Sequence, residues 1–481
     1  MRRHFETADQ LGGKSMNSIQ LAEFVTRISG RQRCSRQWKS IQKSILCAAS
    51  MLALGWEAPL LAQTTQSARS LEEIIVTARK REESILKAPV IVTAISNQKL
   101  EDVQVTQISD LPRLVPGLVI GGSILSIGPQ VTIRGVGTSS LDPGVDQSVS
   151  LNIDGLSLGQ GLAYGSAMFD VAQVEVLKGP QALFYGKSSP GGVISLRTAD
   201  PGDKLEVIAR AAYEFEGREP RGELIVSGPL TETFGGRLAV MYSEGDGYFT
   251  NDAVAAPGTG AVTPPDERYL QPENLAARGT LLWEPSDAFS ARLKLNHVYD
   301  RANDAGPKQL ASCPDGPNEA FAPFPPFFPT PIPFMGGDDC RYDQDAKGVF
   351  LDPASFPGVT NNGVPYLKNE QDYGTLELDF ELTPTLTLTS TTAYYELQSS
   401  SSVNPTLTTA AGPTFAVTNK FSRRELTQEF RLDSDFAGPL NFTLGAFYED
   451  GQLVDRVRFI RNTSYFWISP AFLGADILND D

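Results

Sequence analysis

Histidine is nearly absent from this sequence. Two histidines occur in 481 residues, and His297 is the only one beyond the N-terminal leader described below. A histidine-based catalytic triad or a metal site with several histidines cannot be assembled from one imidazole. We interpret His297 as structural and predict no enzyme activity, no cofactor and no metal site.

Long apolar runs are also missing after residue 62. An α-helix needs roughly 20 mainly apolar residues to cross a bilayer, and no later segment supplies them. Any membrane crossing by the mature chain must therefore use β-strands.

Cysteine is scarce, and the net charge of −16 is acidic. An acidic chain is a poor partner for nucleic acid. Of four cysteines, Cys313 and Cys340 follow the leader. In an exported chain they predict one disulfide, with two free thiols as the alternative.

The first 62 residues predict export. Basic residues precede an apolar segment of about 13 residues at 44–56, and small residues follow, with cleavage expected after Ala62. A membrane anchor is the alternative, but this apolar segment is too short for one.

Beyond Asp200 the sequence alternates between apolar and charged positions, at 205–216, 291–300 and 375–382. This pattern predicts two-faced strands, either of a soluble sandwich or of an outer-membrane barrel. Short turns at 284–287 and 383–385 alternate with long loops at about 246–274 and 301–372, which favours the barrel. About ten strands fit, whereas a plugged barrel needs ~22, so we expect a truncated chain.

A compact β-prone string follows the leader and a short polar segment. It consists of Glu73, Ile74, Ile75, Val76, Thr77 and Ala78. β-branched residues favour a free extended strand, which can pair with the sheet edge of another protein.

Four glycine-containing strings follow in order, at 108–118, 131–137, 149–155 and 174–198. Their glycines provide tight turns. The positions that carry the pattern are Arg134, Gly135, Asp154, Gly155, Glu175, Lys178, Gly179, Pro180, Gly186, Gly191, Gly192 and Arg197. Together with the string at 73–78, these motifs resemble the plug domain and TonB box of TonB-dependent outer-membrane receptors.

The resemblance implies that Arg134 and Lys178 latch the plug to acidic side chains of the barrel wall. Lys178 stands where arginine is usual in the family, and an ammonium cannot make the two-pronged carboxylate contact of a guanidinium. Ordinary surface charge is the alternative for both residues. Glu175 is equally interpreted as a neighbour of Arg197 within the plug.

We therefore predict a mainly β chain, in which a small α/β plug precedes an incomplete antiparallel transmembrane β-barrel. The predicted domains are a leader and signal peptide at 1–62, a TonB-box segment at 63–84, a plug at 85–200 and the N-terminal part of the barrel at 201–481.

The resemblance implies TonB-dependent uptake of a scarce ligand across the Gram-negative outer membrane. The expected partners are TonB with its inner-membrane energy-coupling complex, outer-membrane lipid and a small extracellular ligand, foremost a ferric siderophore or other iron complex. The alternatives are uptake of a non-iron nutrient (a carbohydrate, cobalamin or an aromatic compound), a passive porin or adhesin, and an exported β-sandwich enzyme.

Overall fold

The computed structural model describes residues 75–464, with gaps at 78–79, 81–82, 87, 122–127, 139–144, 165–167, 187, 252, 256, 266–267, 304–340, 342, 346–347 and 405–414. The predicted leader, Glu73, Ile74, Ala78 and the predicted disulfide of Cys313 with Cys340 lie outside the described residues. Within the described part of the chain, no helix combines the length and apolar character that a membrane span requires.

The first part of the described chain is a small α/β domain. Its strands are β1 Ile75–Val76, β2 Glu83–Ser84, β3 Val92–Ser96, β4 Leu118–Gly121, β5 Gln130–Ile133, β6 Val136–Gly137, β7 Val149–Ile153, β8 Leu156–Leu158, β9 Val171–Lys178 and β10 Gly192–Thr198. Its helices are α1 Asn97–Asp102 and α2 Ala182–Tyr185, with 3-10 helices at Ile108–Arg113 and Gly161–Tyr164.

A five-stranded sheet in the order β3-β9-β10-β7-β8 forms the centre of this domain. Strand β7 is buried along its whole length, and Val174, Val176 and Ile194 of the neighbouring strands are fully buried with it. Both faces of β7 are covered, so its alternating polar residues, Ser150 and Asn152, are buried as fully as its apolar ones.

Two hairpins of the domain turn on an X-Gly pair. Arg134 and Gly135 have φ of 54° and 80° between β5 and β6, and Asp154 and Gly155 have φ of 47° and 93° between β7 and β8. Positive φ at both central residues is the type I′ geometry that matches strand twist.

Gly192 is required by a close approach between two strands and not by a turn. Its φ is +148°, and a Cβ atom there would lie 2.4 Å from the Leu177 carbonyl oxygen. Only glycine lets β10 approach β9 this closely.

The second part is a nine-stranded antiparallel sheet in sequence order. Its strands are β11 Glu206–Glu214, β12 Glu219–Pro229, β13 Phe234–Glu244, β17 Gln271–Ser286, β18 Phe289–Asn303, β20 Tyr366–Thr383, β21 Leu386–Val403, β22 Phe415–Ser434 and β23 Thr443–Arg461. The connections contain the short strands β14 Phe249–Thr250, β15 Ala261–Val262, β16 Arg268–Tyr269 and β19 Phe350–Leu351, and a 3-10 helix at Asn361–Gly363.

The nine-stranded sheet follows the predicted alternation. In β18, Lys294, Asn296 and Val298 are buried against the small domain, whereas Leu295 is 57% exposed on the opposite face. The predicted short turns are present, because β17 and β18 are separated by two residues, and so are β20 and β21. The second predicted long loop ends earlier than expected, because β20 begins at Tyr366 instead of near Asp372.

The mainly β fold with a small α/β domain and a partial barrel sheet is confirmed. The described residues form nine long strands, where about ten were expected for the whole of 201–481. The domain boundaries at 62, 84 and 200 stay predictions.

Candidate functional site

Residues Ile75–Thr77 of the β-prone string are docked against the small domain. Strand β1 pairs antiparallel with β2, with Ile75 opposite Ser84 and Val76 opposite Glu83. The Val76 side chain is fully buried with Leu177 and Val193. In this structure, apolar contact and strand pairing hold the described part of the string, whereas a free extended strand was expected; its role as a TonB box stays a prediction.

Glu175 of β9 is the polar anchor of this docked string. Its Oε1 accepts hydrogen bonds from the Thr77 backbone N–H at 2.7 Å and from the Thr77 hydroxyl at 3.0 Å. Gln173 donates from Nε2 to the same oxygen at 3.0 Å and to the Ile75 carbonyl at 2.9 Å. A charged acceptor strengthens such hydrogen bonds, so Glu175 is a clamp on Thr77.

Burial raises the pKa of Glu175, although the hydrogen bonds from Thr77 and the nearby guanidinium of Arg197 act in the opposite direction. Ser195 lies opposite Glu175 in the sheet, and Arg197 lies two residues further along β10. The structure thus places Glu175 beside both the docked string and Arg197.

Lys80 connects the docked segment to the nine-stranded sheet. Its ammonium pairs with Glu429 of β22 and lies 5.6 Å from the centre of the Tyr185 ring. Thr77 and Lys80 both line a cavity of about 580 Å³ between the small domain and the sheet. A pull on this segment must break the Lys80–Glu429 pair.

Buried ion pairs hold the small domain against the inner face of the sheet. Asp170 binds Arg237 of β13 through two hydrogen bonds, of 2.5 and 3.0 Å. The Arg278 guanidinium donates to the Phe169 carbonyl at 2.6 Å and is 2% exposed. Arg423 of β22 pairs with Asp146 at 2.8 Å. We call these contacts of Arg237, Arg278 and Arg423 with the small domain, together with those of Lys294, the ionic seat.

Lys294 is the most enclosed cation of this seat. Its Nζ lies 3.2 Å from Asp154 Oδ1 and 3.0 Å from Asp200 Oδ1, and it donates to the Thr198 carbonyl at 3.0 Å. The Lys294 side chain is 1% exposed. The Asp154-Gly155 turn therefore points a carboxylate at a buried ammonium of the wall.

Burial alone would raise the pKa of Asp154, but Lys294, Arg278 and the hydrogen bonds of Thr198 together lower it below the ordinary value. A carboxyl whose pKa is lowered in the folded state stabilises that state above its unfolded pKa of about 3.9. This contribution is lost as the pH falls through the folded-state pKa.

Acidification from about pH 5 to about pH 3 is therefore expected to weaken the seat of the small domain. The urea midpoint of the protein in detergent, measured across this range, should fall more steeply for wild type than for Asp154→Asn. Equal slopes for the two proteins would contradict a role for the Asp154 carboxylate.

The structure places the two predicted latch residues away from the seat. Arg134 is exposed in its turn, and its backbone N–H donates to the Gly117 carbonyl at 2.7 Å. Lys178 is half-buried at the end of β9. Among the described residues, neither forms an ion pair with a carboxylate of the sheet. Their latch roles stay predictions.

The seat residues Lys294, Arg237, Arg278 and Arg423 are absent from the predicted site. The alternation did place Lys294 on the charged face of its strand, opposite Leu293 and Leu295. His297 lies on the outward face and contacts Asp372 at 2.8 Å. The described residues contain no cluster of metal-ligating side chains.

The family model described as TonB-dependent Receptor Plug Domain matches residues 84–193. The Hemin receptor of Yersinia enterocolitica is 33% identical over 191 residues, which cover 39% of this chain and 26% of the relative. The Vitamin B12 transporter BtuB of Vibrio vulnificus is 25% identical over 262 residues, covering 52% of this chain and 38% of the transporter.

Among solved structures, the ferric yersiniabactin uptake receptor FyuA from Yersinia pestis has a similar fold. The TM-score is 0.59 at 19% identity, and the match covers 77% of this chain and 50% of the receptor. The chain thus spans about a quarter to a half of the length of the relatives it matches.

These similarities agree with the small α/β domain and the strand pattern described above. The predicted location in the Gram-negative outer membrane is confirmed by the same relatives. The family consists of receptors and transporters. Residues 84–193 thus carry the plug domain of TonB-dependent receptors, and the strands that follow have the fold of part of the barrel of such a receptor.

Proposed function

We propose that this protein takes up a scarce ligand across the outer membrane in a TonB-dependent manner, and that the ligand is a ferric siderophore or other iron complex. The observation that carries the proposal is the docked segment that includes Ile75–Thr77 and Lys80. It lies at the end of the sheet with short turns, and it is tied to the plug through Glu175 and to the wall through Lys80.

This arrangement is suited to a segment that a partner protein can pull away from the plug. A strand that is docked by one short pairing and a few hydrogen bonds can leave without unfolding the five-stranded sheet. Once free, it offers an unpaired edge to a partner by strand addition. The partner proposed here is TonB, with the inner-membrane complex that supplies the energy.

The protein is proposed to be a transporter and not an enzyme. Its buried carboxylates, Asp154, Asp170 and Glu175, are held by cations or amide and hydroxyl donors between plug and wall. Positions of this kind suit a movable ionic contact and give a substrate no nucleophile with an adjacent base.

Replacing Ile75 by proline tests the strand pairing with TonB. Proline removes the backbone N–H that a paired strand donates, so we expect binding of the TonB periplasmic domain to fall by roughly tenfold or more in a pull-down. Leu86→Pro is the matched control, because Leu86 is 90% exposed in a turn after β2. Unchanged binding of Ile75→Pro would refute TonB recognition through this strand.

The choice of an iron complex is supported by the relatives named Hemin receptor and ferric yersiniabactin uptake receptor. A second candidate is a cobalamin-type nutrient, which is favoured by the similarity to Vitamin B12 transporter BtuB. Both use the same plug, so the ligand is decided by the loops and the outer end of the lumen.

Iron limitation distinguishes the two candidates. For an iron-complex receptor, we expect the abundance of this protein in outer membranes to rise when iron is withheld and to stay constant when cobalamin is withheld. Quantitative mass spectrometry of outer membranes measures both. A response to cobalamin alone would exclude the iron assignment and leave the TonB assignment intact.

A further inference from the structure

The plug segment that carries α2 is closed on itself by hydrogen bonds. The Gln181 backbone N–H donates to the Ser189 carbonyl at 3.1 Å, and the Ser189 hydroxyl donates to the Gly186 carbonyl at 2.9 Å. The Tyr185 N–H donates to the Gln181 carbonyl at 3.0 Å. These bonds tie the position of Tyr185 to the position of the residues around Ser189. We call residues 181–186 and 188–189 the α2 loop.

Tyr185 of the α2 loop contacts the docked segment. Its side chain is 6% exposed and packs in one apolar cluster with Val76. Its hydroxyl donates to the Thr77 carbonyl at 3.4 Å, and its ring centre lies 5.6 Å from the Lys80 ammonium. Tyr185 therefore holds the docked segment through an apolar contact, a hydrogen bond and a cation–π contact.

Asp146 holds the other end of the α2 loop. The Ser188 hydroxyl donates to Asp146 Oδ2 at 3.0 Å. Oδ1 of the same carboxylate accepts from Gln160 Nε2 at 3.1 Å and from the Arg423 guanidinium of β22 at 2.8 Å. Hydrogen bonds to an ionised acceptor are stronger than those between neutral groups. One carboxylate therefore connects Ser188 to the inner face of the nine-stranded sheet.

The backbone of Ser188 has a conformation that needs this support. Its φ is 66°, in the left-handed region. A residue with a Cβ atom is strained in this region and stays there only where surrounding contacts hold it. Without the hydrogen bond to Asp146, Ser188 relaxes to a negative φ, and the α2 loop changes shape.

The two ends of the α2 loop lie at different depths along the wall. On β22, the contact of Arg423 with Asp146 lies six residues before the contact of Glu429 with Lys80. Six residues span roughly 20 Å of a strand. Because β22 runs from the long loops towards the short turns, Asp146 lies nearer the long loops than the docked segment does.

We propose that Asp146 and Ser188 are positioning residues for the docked string at Ile75–Thr77, on which they act through Tyr185. While Ser188 is bonded to Asp146, the α2 loop keeps Tyr185 against the string. When Asp146 moves away from Ser188, the α2 loop relaxes into the cavity of about 710 Å³ that both residues line, and the string loses its contacts with Tyr185. Asp146 thereby conveys movement on the long-loop side of the plug to the segment that TonB pulls, a role that rests on the proposed function.

The labelling rate of a cysteine introduced at Val76, which is fully buried in the docked string, tests this role in the intact protein. In this Val76→Cys parent, Ser188→Ala should raise the rate roughly three- to tenfold, because the bond to Asp146 and the left-handed backbone are lost together. Ser188→Gly also loses the hydroxyl, but glycine tolerates a positive φ, so its rate should lie between those of the parent and Ser188→Ala. Equal rates for the parent and Ser188→Ala would overturn the proposal.

Variants of the partners of Asp146 show whether the bond to Ser188 is responsible. Asp146→Ala should raise the labelling rate as Ser188→Ala does, while Arg423 keeps its contact with Glu425. The double variant should label no faster than the faster single variant, because both changes remove the same bond; additive effects would overturn the proposal. The matched control Gln160→Ala removes a different hydrogen bond to Asp146 and should label at the parent rate.

Hydrogen exchange of the β7 and β10 amides separates release of the string from unfolding of the plug. Protection of both strands in Ser188→Ala should equal that of the parent. Loss of protection in parallel with faster labelling would overturn the proposal, because Ser188 would then stabilise the whole plug. TonB is absent from both measurements, so unchanged TonB binding by Ile75→Pro would refute TonB recognition and leave the role of Ser188 intact.

Discussion

Replacing Lys294 by alanine is expected to destabilise the seated plug by about 3–5 kcal/mol, the usual cost of removing one partner from a buried ion pair. The substitution leaves the Asp154 carboxylate buried and without its ammonium, and Asp200 loses the same contact. Hydrogen exchange of the β7 and β10 amides in the detergent-solubilised protein measures the loss of plug stability. Protection of both strands should fall together.

Two variants make the Lys294 result interpretable. Lys368→Ala removes a cation from the adjacent strand, but this side chain is 39% exposed on the outward face, so its effect should stay within about 1 kcal/mol. Adding Asp154→Asn to Lys294→Ala should restore part of the protection, because the uncompensated carboxylate is gone. Wild-type protection in Lys294→Ala would show that the ionic seat contributes nothing.

Replacing Glu175 by alanine should release the docked string at Ile75–Thr77, which we propose as the TonB box. Thr77 loses two hydrogen bonds to a charged acceptor, and one such bond contributes about 1.5–3 kcal/mol. The released fraction should therefore rise by roughly 10- to 150-fold. Cysteine-labelling rates at an introduced Val76→Cys, a position that is fully buried in the docked state, report this fraction when measured without ligand. Binding of the TonB periplasmic domain should increase in parallel.

The control for Glu175→Ala is Glu101→Ala, which removes a plug carboxylate that is 52% exposed and pairs with Arg210. It should leave the labelling rate unchanged. Glu175→Gln should fall between wild type and alanine, because its amide oxygen still accepts from Thr77. If alanine at 175 left the labelling rate at the wild-type value, β1–β2 pairing and Val76 burial alone would hold the box.

The sequence was sufficient to predict the family and the faces of the strands. The alternation placed Lys294 on the opposite strand face from Leu293 and Leu295. The β-branched residues indicated an extended string at 73–78. Its docking was not predicted, because the partner strand Glu83–Ser84 has two residues with no strand preference. The clamp was missed because Glu175 and Thr77 are 98 residues apart.

The sequence could predict the cations of the ionic seat but not the groups that they contact. Inward-facing charges such as Lys294 and Arg237 follow from strand periodicity, but their partners lie 140 and 67 residues away. The resemblance instead pointed to Arg134 and Lys178. Arg134 occupies a type I′ turn, where its positive φ lets the hairpin close, and the turn position leaves its side chain exposed.

The order of strands in the two parts implies different folding speeds. Each neighbour in the nine-stranded sheet is also the next long strand along the chain, so pairing can spread from hairpin to hairpin. In the plug, β3 must find β9, with Val92 opposite Leu177, and β10 must align parallel to β7. Pairing between distant segments requires loop closure before contacts form and slows folding. The plug is therefore expected to fold more slowly than the nine-stranded sheet.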